Sequence, residues 1–71
     1  MELTRIYITE TNGMNYKYQV SENDLIKIYK AFEEKEEFIK FTDVNKNAEK
    51  GEKVKIIFLR ISKIEKLVVI L

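Results

Sequence analysis

Polar and apolar residues alternate in two runs near the start of the chain, over residues 3–10 and residues 14–20. A period of two is typical of a β-strand with one buried face. The dipeptide Asn12-Gly13 lies between the two runs, and this dipeptide favours the tight turn of a hairpin. The pattern therefore predicts two antiparallel strands joined by a short loop.

The length of that loop follows from which side chains share a face. A two-residue turn would place Ile8 opposite Lys17 and mix apolar with polar side chains. A three-residue loop over residues 11–13, with Gly13 in the left-handed conformation, places Ile8 opposite Tyr16 instead. Since only this register keeps one face apolar, we expect the three-residue loop.

Apolar residues then change to helical spacing. Ser21 has the side chain of an N-cap, and Asp24 three residues later completes a variant of the capping box. Val20 and Leu25 stand at the two positions of a hydrophobic staple. The apolar residues of the repeat are Leu25, Ile28, Tyr29 and Phe32. These signals predict a helix over residues 22–36.

Further strands are predicted after the helix. Residues 38–44 alternate like a third strand, and residues 45–52 have the composition of a polar loop. Residues 53–61 predict a fourth strand, residues 62–67 a short turn of helix, and residues 68–71 a short fifth strand. We therefore expect a single α+β domain that uses the whole chain, in the order β-β-α-β-β(-β). Its sheet would be mainly antiparallel, with four or five strands and one helix packed on one face.

The fourth predicted strand is apolar on both faces, which raises the question of what covers it. Val54, Ile56 and Phe58 point to one side, and alternate residues point to the other. One helix covers one side of a sheet, so the second side and the apolar tail need another cover. A second copy of the chain is one explanation, with a dimer favoured; a sheet that curls on itself is the alternative. The expected self-association residues are Ile57, Leu59, Ile61, Val68, Val69, Ile70 and Leu71.

The chain has neither cysteine nor histidine. It therefore lacks disulfides, the commonest general base and the best nucleophile, and a zinc site would need carboxylates alone. We expect no enzymatic activity, no metal and no cofactor. Residues 43–47 have the D-x-N-x-N spacing of a calcium loop, but Ala48 and Val54 stand where that loop requires Gly and Glu.

No apolar run approaches the length of a membrane span, about 20 residues. The first residues also lack the basic and apolar segments of a signal peptide. A cytoplasmic protein without membrane contact is the expectation.

Glutamates are concentrated at the end of the predicted helix, at Glu33, Glu34, Glu36 and Glu37. Negative charge is unfavourable there, because the carbonyl end of a helix is itself partly negative. A solvated helix end explains such a cluster. An acidic surface that binds a basic partner is the functional alternative.

Basic residues predominate in the second half of the chain, although the formal net charge is only +1. A nucleic-acid patch could be formed by Lys46, Lys50, Lys53, Lys55, Arg60 and Lys63. Two features count against it: nucleic-acid binders are usually strongly basic, and the RNP1 pattern of RNA-binding sheets is absent. Nucleic-acid binding is therefore the alternative hypothesis.

The segment FIKFTDV…KVKIIFLRISKIEKL, in which two strands lead into an I-S-x-I turn, resembles small proteins of phages and mobile elements of low-GC Gram-positive bacteria. This resemblance covers about the second half of the chain and implies no catalytic residues. It implies an accessory protein in the host cytoplasm that binds a host protein or a sibling subunit. The sequence thus favours a non-enzymatic protein-binding module that self-associates and modulates a host protein.

Overall fold

The computed structural model describes residues 2–44 and 54–71. Its elements are β1 (Leu3–Glu10), β2 (Asn15–Ser21), α1 (Glu22–Glu33), β3 (Phe38–Val44), β4 (Val54–Arg60), a 3₁₀ turn (Ile61–Lys63) and β5 (Ile64–Ile70). The predicted α+β class and the predicted order of elements are therefore confirmed.

All strand pairs in the described residues are antiparallel, as predicted, and they form two sheets. One sheet has the order β2-β1-β5, and the other consists of β3 and β4. The fifth strand is longer than residues 68–71, because it begins at Ile64 and pairs with β1 along its length. The helical turn predicted over residues 62–67 is correspondingly limited to the 3₁₀ turn.

The hairpin of β1 and β2 has the predicted register. Ile8 is paired with Tyr16, and Gly13 adopts a φ of 88°, a conformation that only glycine adopts without strain. The Gly13 N–H donates to the Glu10 carbonyl, and the Glu10 N–H donates to the Met14 carbonyl, both at 2.9 Å. The three-residue loop is therefore confirmed.

The helix begins as predicted and ends earlier than predicted. The Asp24 N–H donates to Ser21 Oγ at 3.2 Å, which confirms the N-cap. At the other end Lys35 has a φ of 53°, and its N–H donates to the Phe32 carbonyl at 3.2 Å. The next N–H, that of Glu36, donates to the Ala31 carbonyl at 2.9 Å. This pair of bonds is a Schellman motif with a lysine where glycine is preferred, and it stops the helix at Glu33.

Two aspartates connect β3 to its neighbours. The Thr42 N–H donates to Asp24 Oδ2 at 2.9 Å, which joins β3 to the first turn of α1. The Gln19 N–H donates to Asp43 Oδ1 at 3.0 Å, which joins β3 to the edge of β2. The Asp24 carboxylate thus accepts a hydrogen bond from β3. In a complete capping box it would accept one from the backbone N–H of the N-cap residue Ser21. The Asp43 carboxylate thus joins the two sheets directly, and the Asp24 carboxylate joins the second sheet to the helix.

The 3₁₀ turn provides a second connection between the sheets. The Ile61 N–H donates to the Glu37 carbonyl, just before β3, at 2.9 Å. The Lys63 carbonyl accepts a hydrogen bond of the same length from the Thr11 N–H in the hairpin loop. Because the turn is bonded at both ends, β5 starts at a defined position beside β1.

The core lies between α1 and the inner faces of the two sheets. The Phe41 and Tyr18 rings pack edge to face, with 5.1 Å between ring centres. No polar or charged side chain of the described residues is buried. The buried apolar residues are Ile6, Ile8, Val20, Leu25, Ile28, Ala31, Ile39 and Phe41.

Candidate binding surfaces

The two faces of β4 are oriented opposite to the sequence-based expectation. Residues directly opposite each other in an antiparallel pair share a face. Ile39 and Phe41 of β3 are in the core, and they are paired with Leu59 and Ile57. Those two residues and Ile61 therefore pack, half-buried, against the core. Their expected place in an outer self-association surface is corrected on this ground.

The exposed face of β3 and β4 combines aromatic and basic side chains. Phe58 is 64% exposed, Ile56 59% and Phe38 46%. The Arg60 guanidinium lies 5.1 Å from the centre of the Phe38 ring, and Lys40 Nζ lies 5.6 Å from the centre of the Phe58 ring. We call these five residues the aromatic–basic face. Each of its two cations thus lies over one of its two aromatic rings.

This face contains no acidic side chain of its own. Its cross-strand pairs are Phe38 with Arg60, Lys40 with Phe58, Thr42 with Ile56, and Val44 with Val54. Glu37 lies at the rim, with its Oε1 3.9 Å from Arg60 Nη1, and both side chains are more than half exposed. Lys40 and Arg60 outnumber this one acid, so the face has a net positive charge.

The apolar tail is covered along one edge by β1. Leu67 and Val69 pair with Ile8 and Ile6 and pack against the core. Val69 therefore belongs to the inner side of the sheet and not to an outer surface.

The other tail residues lie outside the core. Val68 is 37% exposed, Ile70 is 47% exposed, and Leu71 follows at the exposed end. Tyr7, which is paired with Val68, is also exposed. We call Tyr7, Val68 and Ile70 the tail patch.

The free edge of β5 is unprotected over its second half, which follows the charged residues Glu65 and Lys66. β5 is the last strand in the order β2-β1-β5, so its far edge meets no other strand among residues 2–44 and 54–71. Residues 67–71 contain no charge and no proline, the features with which natural edge strands avoid pairing. This edge is therefore ready to accept a further strand.

The acidic cluster at the end of α1 is exposed as predicted from its sequence position. Lys35 separates Glu33 and Glu34 from Glu36 and Glu37, because its left-handed conformation turns the chain. Glu36 and Glu37 line a groove of about 440 Å³ together with Arg60. One side of the acidic cluster thus meets a basic residue of the same chain, and Glu33 and Glu34 stay open to solvent.

Three of the six basic residues singled out in the sequence are described by the structure, and these three do not form one patch. Lys46, Lys50 and Lys53 lie outside the described residues. Lys55 is paired with Asp43 on the other side of β4 from Phe58, and Lys63 is in the 3₁₀ turn. Of these three described residues, Arg60 alone lies on the aromatic–basic face.

Lys40 is the cation that the sequence-based reasoning missed. Its pairing with Phe58 across the sheet brings it onto the aromatic–basic face. The signal that could have found it is the alternation of Phe38 and Lys40 with the buried Ile39 and Phe41.

No family model matches the chain, and no curated protein and no solved structure matches it. Its surfaces are therefore interpreted from their own chemistry.

Groups suited to chemistry are scarce in the part of the chain that the structure describes. Burial raises the pKa of the Tyr18 hydroxyl above its ordinary value, and Tyr16, Asp43 and Glu10 nearby raise it further. A phenol that holds its proton more tightly is a poor base at neutral pH. Within residues 2–44 and 54–71 no three acidic, His or Cys side chains lie close enough to hold a metal ion. Nor does this part of the chain contain a helix with the length and apolar character needed to cross a bilayer.

Proposed function

We propose that the protein is a non-enzymatic protein-binding module that self-associates through β5. The observation that carries this proposal is the free edge of β5, whose residues 67–70 have no charged side chain and lie beside the exposed tail patch. A row of unpaired backbone groups next to apolar side chains is a template for pairing with another strand.

A second copy of the chain fits this edge by symmetry. Two β5 strands related by a two-fold axis run antiparallel, and their surface is self-complementary. An axis perpendicular to the sheet keeps the outer side chains of both copies on one side. Val68 and Ile70 then continue into Val68 and Ile70 of the second copy, and the two three-stranded sheets become one sheet of six strands. The half-buried Leu67 and Val69 become covered in the same step.

The solution mass of the intact chain and of one edge variant tests this proposal. Val68→Lys places a charge beside the edge, on an outward position, and we expect it to convert a dimer to a monomer. Ile26→Lys is the matched control, since Ile26 is a similarly exposed apolar residue on α1 and not on β5. We expect this control to remain a dimer by sedimentation or light scattering. A monomeric intact chain at high concentration would contradict the proposal, as would a dimer that Val68→Lys leaves intact.

Modulation of a host protein is the second part of the proposal. It is supported by the resemblance to phage and mobile-element accessory proteins and by the solvent-exposed Glu33 and Glu34, which stand at the unfavourable end of the helix dipole. A basic partner would relieve that unfavourable charge.

Affinity capture with a charge-reversed bait tests the acidic surface. We expect Glu33→Lys/Glu34→Lys to lose a basic partner that the intact chain retains. The control, Glu2→Lys/Glu22→Lys, changes two exposed glutamates outside the acidic cluster and outside β5 by the same charge. A partner that all three proteins recover equally would show that the acidic cluster has no part in binding.

A further inference from the structure

The aromatic–basic face has the chemistry of a site for single-stranded nucleic acid. We propose that two neighbouring bases stack on Phe38 and Phe58, and that Lys40 and Arg60 bind the phosphates between and beside them. This inference concerns the sheet of β3 and β4 and does not depend on self-association through β5.

The register places the two rings at a suitable separation. Phe38 is opposite Arg60, and Phe58 precedes Arg60 by two residues, so the two rings stand diagonally on one face. Diagonal neighbours lie about 7–8 Å apart. Two consecutive nucleotides of an extended strand can span this distance with their bases unstacked from one another, which is how RNA-binding sheets use their aromatic residues.

Lys40 and Arg60 are positioned to leave the two rings and to bind phosphate groups instead. Each rests on an exposed ring at 5.1 and 5.6 Å, a contact that is weak when solvent reaches it. Stacking of a base on the ring is stronger than this contact. A displaced Lys40 or Arg60 stays within reach of the phosphate beside the stacked base, so one rearrangement makes both the ring and the cation available.

Charge argues against a second copy as the occupant of this face. In a two-fold contact the same patch meets itself, so Lys40 and Arg60 of one chain would face those of the other. The only acid described at its rim is the exposed Glu37. A nucleic acid avoids this repulsion, because its phosphates are negatively charged. Its planar bases also stack on the rings, which a chain of carboxylates cannot do.

Duplex nucleic acid is a poorer fit. Its bases are already stacked and paired, so Phe38 and Phe58 would have nothing to stack on. The preference for single strands is therefore a specific consequence of the proposal.

Fluorescence anisotropy with the full chain tests it. The probes are fluorescein-labelled oligothymidylate and oligouridylate of about ten nucleotides, within the usual range of single-strand sites. We expect binding at low salt, with a slope of log K against log salt of about −1.4, because two phosphates are neutralised and each contributes about −0.7. Phe58→Ala should weaken binding about 5- to 150-fold, the range for loss of one stacked base. Lys40→Gln should reduce the slope by about half.

Matched controls come from the exposed side of α1. Tyr29→Ala removes another exposed aromatic ring, and Lys30→Gln removes one exposed cation; neither should change binding or slope. An amide NMR spectrum of each variant checks that it is folded. Absence of salt-dependent binding to both oligonucleotides would overturn the proposal. So would equal effects of Phe58→Ala and Tyr29→Ala, or binding of a duplex or of polyglutamate that depends on Phe58 in the same way.

Discussion

Replacing Asp24 by alanine removes the acceptor that holds β3 against the helix and leaves the helix cap in place. The cap is made by the backbone N–H of residue 24, which alanine retains. The carboxylate accepts from the Thr42 N–H at 2.9 Å in a partly buried position. Asp24→Ala therefore leaves that N–H without its partner.

The expected cost is about 2 kcal/mol. A hydrogen bond to a charged group contributes about 1.5–3 kcal/mol, and an acid in the first helical turn adds about 0.3–1 kcal/mol. The better helix propensity of alanine returns at most about 0.7 kcal/mol. A chain of this length has a free energy of unfolding of roughly 4–10 kcal/mol, so the variant should stay folded with a distinctly lower denaturation midpoint.

Urea denaturation followed by circular dichroism measures this cost, and Glu22→Ala is the matched control. Glu22 is also an acid in the first turn, and it is exposed. It should therefore lose only the dipole contribution of about 0.3–1 kcal/mol. Hydrogen exchange of the Thr42 amide should accelerate in Asp24→Ala alone. If both variants cost the same and the Thr42 amide exchanges at the same rate in both, the carboxylate does not hold β3.

Three further predictions concern single residues. Lys35→Gly should raise the free energy of unfolding by about 0.5–1 kcal/mol in urea denaturation, because residue 35 has a φ of 53° and glycine adopts this conformation without the side-chain penalty; a loss of stability would contradict this. Gly13→Ala should lower it by about 1 kcal/mol or more in the same assay, since the φ of 88° is strained for alanine although its Cβ would meet no atom within 4 Å; an unchanged midpoint would refute the strain. Burial raises the pKa of Tyr18, so the folded state holds that proton more tightly than the unfolded chain. Stability from this group is complete below the unfolded value of about 10 and is lost as pH rises above it. Tyr18→Phe should therefore flatten the fall of the urea midpoint in alkaline buffer, and an unchanged fall would count against the raised pKa.

Features that depend on a few neighbouring residues were predictable from the sequence. The hairpin register follows because one choice of loop length keeps an apolar face, and the Gly13 conformation follows from that loop. Ser21 caps the helix because its side chain and the Asp24 N–H are close in the chain itself. The end of the helix was predicted too late, because no glycine marks it and a lysine adopts the left-handed conformation.

The tertiary structure alone decided which face of β4 is buried. That strand is apolar on both sides, so its own residues contain no preference. Its partner β3 determines the buried face. Ile39 and Phe41 of β3 are in the core, and Leu59 and Ile57 face the core because they are paired with these two residues. The same pairing brings Lys40 and Phe58 together on the outside. The sequence of a strand predicts its buried face only when the two faces differ in polarity. Where both faces are apolar, the neighbouring strand in the sheet determines which face is buried and which remains exposed for binding.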